Sequence, residues 1–383
     1  MSTYRNVALK RTFLILAFLP TMLVSQTSQA EETRIYHHQY NWKYPESVSP
    51  STEDLLFPDP HTSHFYSKCF YYTGLLSNGY LYIIHLFHWK YGILDGWGIM
   101  TLVTDFEGNY YIYEGRIKNE DLQESRGAFS IRFNGSRFEN SGDESSIYLK
   151  LEGFLLNIRL YNILPPWIPG DGYAYLAAGK DIYMRKAVPT PLARTQGFLV
   201  LGDKLFSASG WCYGDRSLTV MPLNRITFTS YAFRTFSEQQ QGEDPWVLAL
   251  LHYAPEDERS DLQIPMLLLA RGNKWILTTK EYSITPELLA FDPDSPYPYP
   301  QRIHLRARGE ENTLEGDFIC DKLIYVSDIF QKLPPLFRSI LSFFVKRPII
   351  FRMAGHFEGT LAWPDGSVTN IRLSGQGDYS ISR

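Results

Sequence analysis

Phe70-Tyr-Tyr-Thr-Gly-Leu-Leu-Ser77, then Asn78-Gly79, then Tyr80-Leu-Tyr-Ile-Ile-His-Leu-Phe-His88: two apolar, ring-rich segments flank an Asn-Gly pair. Asn-Gly tolerates the left-handed backbone of a tight turn, so this run reads as a β-hairpin. The pattern extends outward on both sides. Trp97 to Asp105 is apolar on both alternating faces and reads as a strand covered on each side. Phe106-Glu-Gly-Asn109 turns the chain into Tyr110 to Arg116. Ile147, Leu149 and Leu151 alternate with Tyr148, Lys150 and Glu152, and Leu156, Ile158 and Leu160 alternate with Asn157, Arg159 and Tyr161. That period of two marks half-buried strands. Pro165 to Gly172 is a loop, and Thr195 to Leu201 and Lys204 to Trp211 flank Gly202-Asp203. Ile226 to Phe236, Trp246 to Tyr253, Met266 to Ala270, Lys274 to Ile284 and Ile303 to Arg308 each read as one strand. A last hairpin, His356 to Trp363 and Ser367 to Leu373, turns at Pro364-Asp-Gly366. Short strands with turns about every 8–12 residues predict an all-β chain of sandwiches or barrels.

One segment breaks the pattern. Asp328 to Lys346 carries Ile329, Phe330, Leu333, Leu336, Phe337, Ile340, Phe343 and Phe344. Pro334-Pro335 suits a helix start, so a short helix is expected in the second half. It packs beside a barrel in one reading; in the other, residues 328–346 touch a membrane surface.

The amino terminus reads as an export signal. Arg5, Lys10 and Arg11 precede an apolar run from Phe13 to Val24, and Ser28 and Ala30 supply the small residues of a cleavage site. A membrane span needs about 20 apolar residues, and this run is shorter. The expectation is a signal peptide over 1–30, cleavage near Ala30, an arm over 31–60, and a periplasmic or secreted protein. Without the signal's three basic residues the mature chain has 34 Lys and Arg against 41 Asp and Glu, a net charge of −7. That balance argues against a nucleic-acid partner. Aromatic residues make up 15% of the chain, which suits pleated sheets and also a ligand cavity walled by rings. Cys69, Cys212 and Cys320 fit no zinc spacing, and which pair would bridge in an oxidising compartment stays open. His85 and His88 lie three apart on a strand and face opposite ways, and His61 and His64 have no evident third partner, so no metal is expected. With no phosphate loop, dinucleotide fingerprint or nucleophile elbow, no cofactor is expected either.

Two stretches carry a resemblance. Lys68-Cys-Phe-Tyr-Tyr-Thr-Gly-Leu-Leu76, followed by Asn78-Gly-Tyr80, resembles the Glu-Trp-Trp-Tyr-x-Thr-Gly-His-Leu segment of the lipocalin-like AttH and carotenoid 1,2-hydratase family. Gly210-Trp-Cys-Tyr-Gly-Asp-Arg-Ser217, after Arg194 to Asp203, is similar to that family's Gly-x-x-Trp-x-Asp-His/Arg segment, and Gly375-Gln-Gly377 before Tyr379 to its last strand. The resemblance implies two tandem calycin-like barrels, here 61–218 and 219–383, each able to hold an apolar ligand. It also implies hydration or cyclisation of isoprenoids or polyketides. The departures are polar. Lys68 stands at the family's Glu, Leu75 at its His, Cys69 and Phe70 at its tryptophans, and Arg216 where His is commoner.

Hydrating an isolated alkene needs a protonated acid in a dry, ring-lined pocket. Asp215, beside Trp211 and Tyr213, is the candidate proton donor, although Arg216 follows it directly. Tyr72, Tyr82, His85, Trp97, Trp211, Tyr213 and Arg216 are the candidate ligand-lining residues. Three readings remain: a binder of an apolar small molecule or lipid in a barrel cavity, a hydratase or cyclase using Asp215, and an envelope interaction protein with filled barrels.

Overall fold

The computed structural model describes residues 65–382 apart from 92–93, 106, 108, 126–128, 171, 176–182, 221–227, 239–242, 256–263, 294 and 329–346. The export signal, the arm, His61 and His64 therefore lie outside the described residues. So does the expected helix and its membrane contact, except Asp328, which ends a strand and binds Arg347.

The first half contains β1 (Phe65–Leu76), β2 (Leu81–Tyr91), β3 (Leu94–Thr104), β4 (Tyr110–Ile117), β5 (Gln123–Ser125), β6 (Phe129–Phe133), β7 (Ser136–Asn140), β8 (Glu144–Leu151), β9 (Phe154–Asn162), β10 (Tyr173–Tyr175), β11 (Tyr183–Leu201), β12 (Lys204–Ser207) and β13 (Gly210–Val220). The second contains β14 (Phe228–Phe236), β15 (Trp246–Pro255), β16 (Ile264–Arg271), β17 (Lys274–Thr279), β18 (Tyr282–Phe291), β19 (Pro298–Arg308), β20 (Thr313–Asp328), β21 (Pro348–Ala362) and β22 (Val368–Ser382). The founding hairpin forms as expected: β1 pairs antiparallel with β2, and Gly79 takes φ +84° in the turn.

The sheet orders are β4-β3-β2-β1-β13-β11-β9-β8-β7-β6-β5 and β17-β16-β15-β14-β22-β21-β20-β19-β18, with β10 and β12 pairing off β11. In each half the first strand pairs with the last, and the order breaks between the fourth and fifth strands. Each half is thus an antiparallel meander curled until its ends meet, a half-open barrel. The chain is all-β, as expected, and repeats one architecture twice.

Two strand expectations need correction. Lys204 to Trp211 ends at Ser207 as β12, and Gly210 and Trp211 already belong to β13. Lys274 to Ile284 is not one strand. It breaks at Lys280-Glu281 into β17 and β18, which sit at opposite edges of the second sheet. Thr279 Oγ1 donates to the Arg308 carbonyl at 2.8 Å and accepts the Glu281 N–H at 2.9 Å, which fixes the turn. β20 escaped the pattern because register shifts at Cys320/Lys322 and Leu323/Tyr325 reset which face each residue takes.

Three large apolar clusters hold the fold, beside a small one of Tyr66, Ala187, Leu218 and Val220. One fills the first curl with Phe70, Tyr72, Tyr82, Trp97, Phe129 and Phe138 among others. Another fills the second curl around Phe233, Phe318, Phe351 and Phe357. The third joins the outer faces of both sheets, bringing Leu75, Leu81, Leu102 and Trp211 against Phe236, Val247, Leu251 and Leu268. Each such side chain contributes about 1.5–3 kcal/mol on burial.

Candidate functional site

Strand alternation divides the candidate residues between two faces. Tyr72, Tyr82 and Trp97 belong to the interior cluster of the first curl. Arg216 joins them there, with its guanidinium 3.7 Å from the Phe129 ring centroid and 5.7 Å from that of Phe70. Trp211 and Tyr213 belong instead to the cluster between the sheets. Asp215 and His85, at the same parity on their strands, share that face. Asp215 and Arg216 do not meet. The rings expected to wall a cavity inside the first barrel pack against one another, and Tyr72 and Tyr82 are fully buried.

Asp215 sits at the seam between the sheets, 3% exposed. Lys186 on β11 donates to Oδ1 at 3.0 Å, and Arg234 on β14 donates to Oδ2 at 3.0 Å. Arg234 also reaches Asp378 on β22 at 3.4 Å, while its guanidinium lies 4.2 Å from the Tyr71 ring centroid and 5.8 Å from that of Tyr213. Asp378 takes Arg352 on β21 at 2.9 Å and the Tyr71 hydroxyl at 3.2 Å. Gln376 donates to that same hydroxyl. The two halves build this network by one rule. The last strand of each supplies a carboxylate, the strand beside it supplies a cation, and the first strand of the opposite half supplies a further donor. A glycine precedes each carboxylate. A Cβ at Gly214 would lie 2.7 Å from the Tyr72 ring, and one at Gly377 would lie 2.6 Å from the Phe318 ring. The glycine makes room for an interior ring while its neighbour points into the seam.

Electrostatics follow from this setting. Burial alone would raise the Asp215 pKa, but Lys186 and then Arg234 more than offset it, and the carboxyl is held below its ordinary value. An ionised Asp215 has no proton to give at neutral pH. Burial, aided by the Arg352 charge, pushes His85 down to about 3, so its imidazole is neutral. Burial pushes the Cys69 thiol beside the network up to about 11. All three cysteines are free thiols here. Among the described residues the buried Trp211 indole N–H has no hydrogen-bond partner.

Along β1 and β2 the seam opens. Leu75 and Leu81 are covered, whereas Cys69, His85, Phe87 and Trp89 on the same face are only partly buried. The His85, Phe87 and Trp89 rings form a row, with centroids 5.2 and 5.5 Å apart. Phe87 and Trp89 lie against β3 because it offers no side chains opposite them. A Cβ at Gly98 would sit 2.6 Å from Phe87, and one at Gly96 2.7 Å from Trp89. This partly buried shelf of rings runs into the charged network through the His85–Tyr71 edge contact at 5.7 Å. Sequence reading named His85 and missed Phe87, Lys186, Arg234, Arg352 and Asp378. A signal for Asp378 was present, since Gly-Asp occurs in the last strand of both halves.

Solved structures share this architecture. An AttH-type protein of Nitrosomonas europaea matches 86% of this chain and 96% of its own, with TM-score 0.57 and 15% identity. CghA, solved with Sch210972, matches 88% and 93%, with TM-score 0.59 and 12% identity. Kievitone hydratase of Nectria haematococca matches 88% and 94%, with TM-score 0.54 and 11% identity. At these identities the likeness shows the lipocalin-like two-barrel fold. No protein-family model and no curated protein sequence matches the chain.

Proposed function

We propose that this AttH-like fold serves an exported protein that binds an apolar, ring-containing small molecule where the two sheets part, and not inside either barrel. The observation that carries the reading is the shelf of His85, Phe87 and Trp89, the last two laid on glycines, which is only partly buried beside an otherwise closed seam. Apolar walls with a few fixed polar groups are the usual make-up of small-molecule sites. The Asp215–Lys186–Arg234 network supplies those groups in an ion-paired state, which favours binding over proton donation. Support from the fold is general: one neighbour is a hydratase by name, and another was solved with Sch210972.

N-phenyl-1-naphthylamine, a neutral probe that brightens in apolar surroundings, tests the reading. It is expected to bind the folded protein with a Kd of about 1–10 μM. Phe87→Ala removes one stacking surface worth about 1–2 kcal/mol, so binding should weaken roughly five- to thirtyfold at an unchanged melting temperature. A folded sample that leaves the probe dark, or a Phe87→Ala variant that binds like wild type, defeats the proposal.

Export is the other part of the reading and rests on residues 1–30. Protein recovered from its native envelope is expected to give an amino-terminal sequence starting at Glu31. Recovery of a membrane-embedded chain with Met1 intact would remove export from the proposal.

A further inference from the structure

A recess of about 920 Å³ lies on the outer, solvent-facing side of β5 to β9, away from the seam, and the proposal above does not use it. Strand register arranges its floor as two cross-strand rows. Arg132, Arg137, Tyr148 and Asn157 form one. Ser130, Glu139, Ser146 and Arg159 form the other. Three inter-strand steps make each row about 14 Å long.

Its charges cancel. Arg132, Arg137 and Arg159 face Glu124, Glu139 and Glu144 within the lining. Arg132 donates to Glu139 at 2.7 Å, the Ser146 hydroxyl donates to Glu139 at 3.4 Å, and Arg159 stands 3.8 Å from Glu144. The hydrogen bond from Arg132 holds the Glu139 carboxyl below its ordinary pKa. A surface neutralised in this way selects neither polyanions nor cations. It also repels apolar ligands, because covering these groups without replacing their hydrogen bonds is unfavourable. Among the described residues the Asn157 amide has no side-chain partner, and Tyr148 presents its ring under Arg137, whose guanidinium carbon is 5.9 Å from the centroid.

We infer that this face binds a neutral oligosaccharide. Such a chain offers many hydroxyls, each able to donate and accept, to the fixed guanidinium–carboxylate pairs and the Asn157 amide. Its sugar rings offer an apolar face that can lie on Tyr148 once the exposed Arg137 side chain swings off that ring. An extended chain would cross the strands along the two rows.

Calorimetric titration of the full chain with cellohexaose, maltohexaose and chitohexaose tests this. At least one should bind with a Kd below about 1 mM. Because no net charge is involved, that Kd should change less than about twofold between low and high salt. Tyr148→Ala and Asn157→Ala, both only partly buried, should each weaken binding about tenfold with little change in the melting temperature. The inference is overturned by a lack of heat with all three sugars at millimolar concentration, by binding that both variants retain, or by binding that high salt abolishes. The probe for the seam is read separately, so either proposal can fail alone.

Discussion

Asp215→Asn is expected to lower the unfolding free energy by about 3–5 kcal/mol, the usual result when one partner of a buried charge group is removed. For halves of this size that is a fall in Tm of roughly 10 °C. Lys186 and Arg234 are 8% and 5% exposed at their side chains, so water cannot take over from the lost carboxylate. The amide still offers one acceptor but neutralises neither cation. The effect has a pH signature. The folded Asp215 pKa is depressed below the unfolded value near 3.9, so its contribution is complete above that value and is lost as pH falls through the folded pKa. Wild type should therefore lose stability below about pH 4, and Asp215→Asn should lose less over that interval because its share is already gone. Asp378→Asn is the comparison. That carboxylate is more exposed, 14% against 3%, and should cost less. Thermal melts of the three proteins from neutral pH to acid read all of this together. Asp215→Asn melting at the wild-type temperature would end the view that the network holds the sheets together.

Local features were legible in the sequence, and the seam was not. The Asn78-Gly79 hairpin and the period-two strands β8 and β9 depend on residues close in the chain, and both form as read. The break after Thr279 depends on a contact with Arg308, and the bulges of β20 depend on pairing with β21, so neither is written in its own segment. The same limit applies to the site. Parity alone indicated that Asp215 and Arg216 point apart. The partners of Asp215 could not be read this way, since Lys186 is 29 residues off and Arg234 is 19. Treating the two halves as repeats would have aligned Gly214-Asp215 with Gly377-Asp378 and brought Asp378 into view. Nothing local marks Arg234, which reads as an ordinary strand residue, or Arg352, which precedes the strand read from His356.

Tyr72→Ala is the second large effect, and it separates a packed barrel from a ligand chamber. Tyr72 is 2% exposed in the interior of the first curl. Its ring stacks on Phe138 at 6.4 Å and lies over Gly214, where a Cβ would come within 2.7 Å. Its hydroxyl is hydrogen-bonded to Arg216. Deleting the side chain leaves a hole that close-packed strands cannot collapse into, so the cost should be about 3–5 kcal/mol. Tyr72→Phe keeps the volume and removes only the polar partner of a buried guanidinium, so it should cost about 1–3 kcal/mol. Neither change touches the seam, where Phe87 and Trp89 lie on the opposite face of the sheet. Both variants should therefore bind N-phenyl-1-naphthylamine as wild type does wherever they remain folded. A barrel that served as the chamber would behave in reverse. Enlarging it at Tyr72 would change the Kd several-fold in one direction or the other, and Phe87→Ala would leave the Kd alone. Tyr72→Phe keeps the test usable should Tyr72→Ala fail to fold. A probe affinity that follows Tyr72 and ignores Phe87 would move the ligand from the seam back inside the barrel.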